Sequence, residues 1–294
     1  MILKQIAMSD DGLPPLREVI NHYDLQAKKT LGQNFLTDLN LTRKIARSAG
    51  NLENSIVYEV GPGPGALTRG LLMEGASKVV AVEMDHRCIA ALGDIENAYP
   101  GKLELHEHDA LKIDEVDIIG RAQGKDIHII ANLPYNVGTA LLVKWMTASR
   151  WKPWFKSLTL MFQKEVGERI VANPKTKAYG RLSVLCQYRA DCEILFDIPR
   201  QAFIPPPKVT SCIVQIRPRE EDESAPEQKI LERIVSAAFN QRRKMLRASL
   251  KSLGSDPRPT LEAANIIETA RAEELSIDDF CRLALEYQKV KNGV

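Results

Sequence analysis

The feature that most constrains the fold is a glycine loop that follows an apolar stretch and opens a helix. Residues 56–60 read Ile-Val-Tyr-Glu-Val and predict a buried strand, residues 61–66 read Gly-Pro-Gly-Pro-Gly-Ala, and Leu67, Leu71 and Leu72 follow at helical spacing. Glycines let the backbone approach a ligand closely, and a helix N-terminus favours anionic groups. The spacing also satisfies the dinucleotide fingerprint G-x-G-x-x-A, so the loop alone does not choose between cofactors.

Further predicted strands alternate with predicted helices, which is typical of an α/β fold with a mostly parallel sheet covered on both faces. These strands are expected at 78–83, 103–109, 126–131 and 157–162. The second and third strands of the chain end in acids, Glu83 and Asp109. Because the carboxyl ends of parallel strands line the ligand crevice, we expect Glu83 to accept from ribose hydroxyls and Asp109 from an adenine amino group.

The fourth strand ends in Asn132-Leu133-Pro134-Tyr135, which places an amide, a carbonyl and an aromatic ring together. Proline has no N–H and favours an extended residue before it, so the Leu133 carbonyl is expected to lie outside the ladder and to accept from a ligand. Asn132 adds a second acceptor and Tyr135 a ring for stacking. Two acceptors and a ring suit a planar exocyclic amine. Acceptance of hydrogen bonds from both of its N–H groups would favour a pyramidal nitrogen whose lone pair is available as a nucleophile. The alternative is a plain strand-terminating turn.

Composition indicates an ordinary globular chain. The chain has 294 residues, a net charge of +2 and five cysteines without CxxC pairs. The length favours two domains, and the cysteine usage favours a reducing, cytoplasmic compartment. No stretch approaches the length of a membrane span, so we expect a soluble protein.

The second half of the chain offers two further candidates for ligand contact. Phe203 precedes Ile204 and three prolines, a stiff segment that suits a ring clamped over a ligand or, alternatively, a plug at the sheet edge. Residues 217–226 are charged and bounded by prolines, which predicts a linker, and helical patterns follow it. Within the first of these helices, Arg243, Lys244 and Arg247 are predicted to share one face. Four cations within residues 242–247 favour phosphate contact over a solvated face.

Six motifs, in order, resemble the ribosomal RNA adenine dimethyltransferase family, and within it most closely the bacterial small-subunit branch. They are Gly-Gln-Asn-Phe-Leu at 32–36, Glu-Val-Gly-Pro-Gly at 59–63, Glu83 with Asp109, Asn-Leu-Pro-Tyr at 132–135, Phe-Ile-Pro-Pro-Pro-Lys-Val-Thr-Ser at 203–211 and Phe-Asn-Gln-Arg-Arg-Lys at 239–244. The family usually has a basic residue and an aromatic before Gly-Gln-Asn-Phe, where this chain has Thr30-Leu31.

The resemblance implies a Rossmann-like class I methyltransferase domain at 27–218, a small all-helical RNA-binding domain at 227–294 and an N-terminal extension at 1–26. It implies an enzyme that transfers four methyl groups from S-adenosylmethionine to N6 of two adjacent adenosines in the hairpin loop near the 3′ end of 16S rRNA, during late assembly of the small (30S) subunit. It further implies a cytoplasmic monomer that needs no metal and binds no membrane.

The resemblance also assigns residues to roles. The cofactor contacts would be Asn34, Leu36, Gly61, Gly63, Glu83, Asp109 and Asn132. The catalytic residues would be Asn132, Leu133, Pro134, Tyr135 and Phe203, with Tyr135 and Phe203 stacking on the unstacked target base. The RNA contacts would be Arg242, Arg243, Lys244 and Arg247. Two alternatives remain open: a nicotinamide-dependent oxidoreductase built on the same glycine loop, and a ribosome-assembly factor that binds RNA without catalysis.

Overall fold

The computed structural model describes residues 8–27, 32–120, 122, 124–147, 153–220, 222 and 224–292. Thr30 and Leu31 lie outside these residues. The chain packs as two compact units. The first unit comprises the described residues within Met1–Leu141, Trp154–Lys164 and Glu193–Arg217, and the second those within Leu142–Pro153, Glu165–Cys192 and Pro218–Val294.

A seven-stranded sheet organises the first unit. Its strands lie in the order β4-β3-β2-β5-β6-β9-β7. The pairs β2–β3, β2–β5, β3–β4 and β5–β6 are parallel, and β9 runs antiparallel to β6. The strands are β2 (Ser55–Val60), β3 (Lys78–Glu83), β4 (Leu103–Glu107), β5 (Asp126–Ala131), β6 (Ser157–Gln163), β7 (Ala190–Ile198) and β9 (Ser211–Pro218). The predicted α/β fold with a mostly parallel sheet is confirmed.

A separate two-stranded ribbon joins two distant motifs. In it β1 (Phe35–Leu36) pairs antiparallel with β8 (Phe203–Ile204), with Leu36 opposite Phe203. No sequence pattern predicts this pairing, because a two-residue strand is too short to show the alternation of apolar and polar residues that marks a strand. The ribbon brings the Gln-Asn-Phe-Leu segment to the Phe-Ile-Pro-Pro segment.

Helices alternate with the central strands, as the sequence predicts. They are α1 (Leu16–His22), α2 (Leu39–Ser48), α3 (Ala66–Met73), α4 (His86–Ala98), α5 (Glu115–Ile119) and α6 (Gly138–Met146). Asp38 caps α2 by accepting from the backbone N–H groups of Asn40 and Leu41, which satisfies donors that the helix start leaves free.

The N-terminal residues belong to the core of the first unit. Leu16 and Leu25 are each 2% exposed and pack in the same apolar cluster as the strands and helices around the glycine loop. Arg69 on α3 holds Asp11 with two hydrogen bonds, Nε to Oδ2 at 2.5 Å and an η-nitrogen to Oδ1 at 2.6 Å. The described part of the predicted extension is therefore a packed segment.

The second unit is mostly helical. It contains α7 (Lys164–Ile170, apart from its first residue), α8 (Arg181–Gln187), α9 (Gln228–Asn240), α10 (Leu246–Ser249), α11 (Arg258–Ala263) and α12 (Ile277–Asn292). Apolar residues of these helices share one cluster. Residues 165–192 pack in this unit, which the expected boundary at 218 did not anticipate; the division into domains at 27–218 and 227–294 stays a prediction. Within the described residues, no helix has the length and apolar character needed to cross a membrane.

Candidate active site

The residues predicted to bind a cofactor meet in one cavity of the first unit. It lies at the carboxyl ends of β2, β3, β4 and β5 and contains about 1010 Å³ of empty space, part of it open to solvent. Its walls include Asn34, Leu36, Gly61, Gly63, Glu83, Asp109, Asn132, Leu133, Pro134 and Tyr135. A concave site with a few convergent polar groups is typical of a cofactor site.

The glycine loop needs its glycines for both conformation and space. Gly61 and Gly63 have φ of +68° and +56°, in the left-handed region that side chains disfavour. A Cβ on Gly61 would lie 3.3 Å from the Pro134 ring, and one on Gly63 would lie 3.1 Å from the Phe35 ring. The loop therefore packs closely against Pro134 of the Asn132–Tyr135 tetrapeptide and against Phe35 of β1.

Glu83 at the end of β3 is held by backbone N–H groups. Its side chain is buried, and its Oε2 accepts from Gly63 N at 2.9 Å while Oε1 accepts from Met84 N at 2.9 Å and Asp85 N at 2.8 Å. Burial raises the pKa of Glu83, and these three hydrogen bonds oppose the rise. Oε2, with a single backbone partner, is the oxygen better placed to accept a further hydroxyl.

Asp109 follows β4 and lines the same cavity. Its Oδ1 accepts from Leu111 N at 3.0 Å, which fixes the turn after the strand. Met84 and Leu111 also line the cavity, and they are 55% and 40% exposed, high values for large apolar side chains. Sequence reasoning missed both, although each stands one or two residues after a predicted ligand acid. They offer apolar surface beside those acids.

Asn132 lies just past β5 with its amide oriented by a contact from another segment. Its Nδ2 donates to the Asn34 carbonyl at 3.2 Å. This contact orients the amide, and the side-chain oxygen, which is the acceptor of the group, remains to accept from a ligand. Leu133 lies beyond Ala131, the last paired residue of β5, so its carbonyl is outside the ladder as predicted. The Pro134 carbonyl accepts from the N–H groups of Val137 and Gly138 and so starts α6.

The two predicted stacking rings lie in different environments. Tyr135 is half-buried in the cavity wall, and its hydroxyl lies 2.5 Å from the Ser211 hydroxyl. Phe203 does not line the cavity; it is 1% exposed and packs in the apolar core. The β8–β1 pairing places Phe203 opposite Leu36, which does line the cavity, and the expectation that the Phe203 ring clamps a ligand stays a prediction.

Glu59 is a buried acid in the cavity floor to which the sequence assigned no role. It is 1% exposed, and its Oε2 accepts from the Thr68 hydroxyl at 2.7 Å. Burial raises the pKa of Glu59 to about 8; the Thr68 hydrogen bond opposes the rise and the nearby Glu83 carboxylate adds to it. Only its place in the Glu-Val-Gly-Pro-Gly motif could have marked it.

The basic residues at 242–247 lie in the second unit, Arg242, Arg243 and Lys244 in the turn after α9 and Arg247 in α10. The prediction that Arg243, Lys244 and Arg247 share a helix face is wrong, because α9 ends at Asn240 and α10 starts at Leu246. Arg242 donates to Glu273 at 2.7 Å and to the Lys177 carbonyl at 2.8 Å, and Arg247 pairs with Glu268 at 2.7 Å. Arg243 and Lys244 are exposed.

Comparison with known proteins gives a consistent picture. The family model described as ribosomal RNA adenine dimethylase matches residues 24–289. The ribosomal RNA small subunit methyltransferase A of Azorhizobium caulinodans is 58% identical over 283 residues, covering 96% of this chain and 96% of that protein. The protein of the same name from Dinoroseobacter shibae is 58% identical over 274 residues, covering 93% of this chain and 96% of that protein.

Solved structures of two methyltransferases share the fold. A dimethyladenosine transferase from Plasmodium falciparum superposes with a TM-score of 0.71 at 26% identity, covering 88% of this chain and 98% of that chain. The 23S rRNA methyltransferase ErmE superposes with a TM-score of 0.62 at 25% identity, covering 87% of this chain and 100% of that chain.

Proposed function

This chain belongs to the ribosomal RNA adenine dimethylase family, and on that premise we propose that it dimethylates N6 of two adjacent adenosines in the hairpin loop near the 3′ end of 16S rRNA. The methyl donor is S-adenosylmethionine, and the substrate is the small ribosomal subunit or its precursor late in assembly. The observation that carries the proposal is the meeting of Asn132-Leu133-Pro134-Tyr135 with the glycine loop and two strand-end acids in one cavity.

The residues present fit S-adenosylmethionine. The left-handed backbone at Gly61 and Gly63 opens the loop to the methionine part, and Oε2 of Glu83 suits a ribose hydroxyl. Asp109 would accept from the adenine amino group, and Met84 and Leu111, which line the same cavity, would offer apolar surface to the adenine ring. Asn34 and Leu36, in and next to β1, form a further part of the cavity wall.

Catalysis by this chain is mainly a matter of alignment. S-adenosylmethionine would supply an electrophilic methyl group on a sulfonium sulfur that departs as a neutral thioether, and water would take the proton that the methylated amine then loses. The Asn132 side-chain oxygen and the Leu133 carbonyl accept from the target amine, which favours a pyramidal nitrogen with its lone pair available. The Tyr135 ring stacks on the extruded base. Holding nitrogen and methyl in line accounts for much of the acceleration that such a site needs.

Cations of the second unit suit contact with the RNA backbone. Arg243 and Lys244 are exposed in the turn after α9. Arg242 braces this turn against residues 176–177 by donating to both carbonyls, and Arg247 is paired with Glu268. Because Arg242 and Arg247 are already engaged with protein groups and Arg243 and Lys244 are exposed, Arg243 and Lys244 form the stronger half of the predicted RNA site.

The test is methyl transfer to small subunits purified from a strain that lacks this modification, followed by mapping of the modified nucleotides. We expect incorporation at two adjacent adenosines of the 3′-terminal hairpin loop and none in fully modified subunits. Transfer to another nucleotide would refute the proposed substrate position. Subunit binding without any transfer would favour the assembly-factor alternative, and thermal stabilisation by NAD(P) but not by S-adenosylmethionine would favour the oxidoreductase.

A further inference from the structure

Gln33 connects the segment that closes the cavity to a buried acid behind it. The segment 32–36 lines the cavity, and the Gln33 Nε2 donates to Asp85 Oδ2 at 3.0 Å. Asp85 lies between β3 and α4 and caps α4 by accepting from Arg87 N. Its side chain is 2% exposed. A buried carboxylate therefore holds the middle of this segment.

Arg87 fixes that carboxylate from the other side. Its Nε lies 2.9 Å from Asp85 Oδ1 and an η-nitrogen lies 2.5 Å from Oδ2, a two-pronged ion pair. Hydrogen bonds from Arg87 hold the pKa of the Asp85 carboxyl well below its usual range, so it stays ionised. Arg87 also donates to the Gln26 carbonyl at 3.2 Å, which ties the N-terminal segment to the same pair. A bidentate pair adds geometric definition as well as energy.

Hydrogen bonds connect Asp85 to two residues of the cavity wall, directly to Glu83 and through segment 32–36 to Asn132. The Asp85 backbone N–H donates to Glu83 Oε1 at 2.8 Å. On the other side, Gln33 is followed by Asn34, whose carbonyl accepts from Asn132 Nδ2 at 3.2 Å. The orientation of the Asn132 amide thus depends on the position of the segment that Asp85 holds.

We propose that Asp85 and Arg87 are positioning residues for the methyl transfer: through Gln33 they hold segment 32–36 over the cofactor cavity, and through the Asn34 carbonyl they keep the Asn132 oxygen directed at the target amine. The inference rests on the proposed function. It assigns the pair no contact with cofactor or substrate.

The experiment compares Gln33→Ala, Arg87→Lys and the double variant in the full-length protein. Gln33→Ala removes the link without touching the α4 cap, and Arg87→Lys keeps the charge but loses the two-pronged geometry. The matched control is Arg217→Lys, which makes the same arginine-to-lysine change in an exposed ion pair with Glu193. Neither Arg217 nor Glu193 lines the cavity. Three quantities are measured: hydrogen exchange of residues 32–36 without cofactor, the dissociation constant of S-adenosylmethionine by calorimetry, and kcat at saturating cofactor.

We expect Gln33→Ala to speed exchange in segment 32–36 and to raise the dissociation constant about tenfold, the size of one hydrogen bond to a charged group. We expect kcat to fall as well, because the Asn132 amide loses its fixed partner. Since both substitutions break one chain of contacts, the double variant should be little worse than the more damaging single one. The control should match the wild type in all three measurements.

The outcomes separate this inference from the proposed function. If the wild type methylates subunits and Gln33→Ala keeps wild-type exchange, affinity and kcat, the positioning role is refuted and the proposed function stands. Strictly additive effects of the two substitutions would also refute it, because independent structural damage adds. If the wild type neither binds S-adenosylmethionine nor methylates, the proposed function fails, and with it the inference.

Discussion

At the residue scale, the proposed reaction depends on the orientation of one side-chain amide, that of Asn132. Its nitrogen donates to the Asn34 carbonyl at 3.2 Å, which leaves the oxygen for the amine. Asn132→Ala should lower kcat at saturating cofactor by about 10²–10³, the usual loss for one preorganised polar contact at a reacting centre. Single-turnover methylation measures this, with exposed Asn40→Ala as the control. A near-wild-type rate for Asn132→Ala would mean that residues 132–135 only form a turn at the end of the strand and take no part in the reaction.

Glu59 gives a prediction about stability and pH. Its folded-state pKa is raised to about 8, whereas an unfolded glutamate titrates near pH 4.3, so the folded protein holds this proton more tightly. Its contribution to stability is therefore fully present below about pH 4.3 and is lost as the pH rises through 8, by at most about 1.4 kcal/mol per pH unit.

Glu59→Gln removes that titration and keeps an acceptor for the Thr68 hydroxyl. We expect the melting temperature of the variant, relative to the wild type, to rise steadily between pH 5 and pH 8. The comparison is repeated in the Glu83→Gln background, because the Glu83 carboxylate adds to the rise of the Glu59 pKa. A pH-independent difference would show that Glu59 is ionised in the folded protein throughout this range.

At the scale of elements, the sequence predicted what depends on local pattern. The strand β2 is buried along its whole length and is apolar apart from Ser55 and Glu59, so it is recognisable, and the helical spacing of leucines after the glycine loop predicted α3. The ribbon of β1 and β8 and the early end of α9 depend on distant contacts. The bridge between Met245 and Arg271, for example, forms where propensity alone would continue a helix. The Gln33–Asp85 contact was invisible for the same reason.

The prediction at the scale of elements concerns the buried ion pair that holds the N-terminal segment. Arg69 and Asp11 are 1% and 0% exposed, and Arg69 also donates to the Pro14 carbonyl at 2.8 Å. Asp11→Ala leaves a buried unpaired charge and should cost about 3–5 kcal/mol in urea unfolding. Adding Arg69→Met should recover most of the loss, because an apolar side chain needs no partner.

The control for this pair is an exposed one in the same unit. Lys156 and Asp126 are 61% and 51% exposed, and Asp126→Ala should cost less than about 1 kcal/mol. If Asp11→Ala costs no more than Asp126→Ala, the segment 8–27 is not held by the buried pair.

At the scale of the whole molecule, the sequence predicted which motifs meet in the cavity, and its division of the chain into domains at 27–218 and 227–294 stays a prediction. The tetrapeptide, the glycine loop and the acids are contiguous motifs, so their places in the cavity follow from strand order. Residues 165–192 pack with the C-terminal helices, which follows from tertiary packing of apolar faces, such as Val184 with Leu231 and Val235 in one cluster. No linker composition marks that boundary.

Binding of the whole molecule to the ribosomal subunit tests how its cations are used. Arg243 and Lys244 are exposed, while Arg242 and Arg247 are engaged with Glu273 and Glu268. Because each neutralised phosphate contributes about 0.7–0.9 to the slope of log K against log salt, Arg243→Ala with Lys244→Ala should flatten that slope by about 1.4–1.8. The affinity for S-adenosylmethionine should not change.

Lys229→Ala with Lys291→Ala removes the same charge from exposed positions of the same unit and should leave the slope nearly unaltered. Equal slopes for the two double variants would mean that only net charge matters and that the turn after α9 makes no phosphate contact of its own.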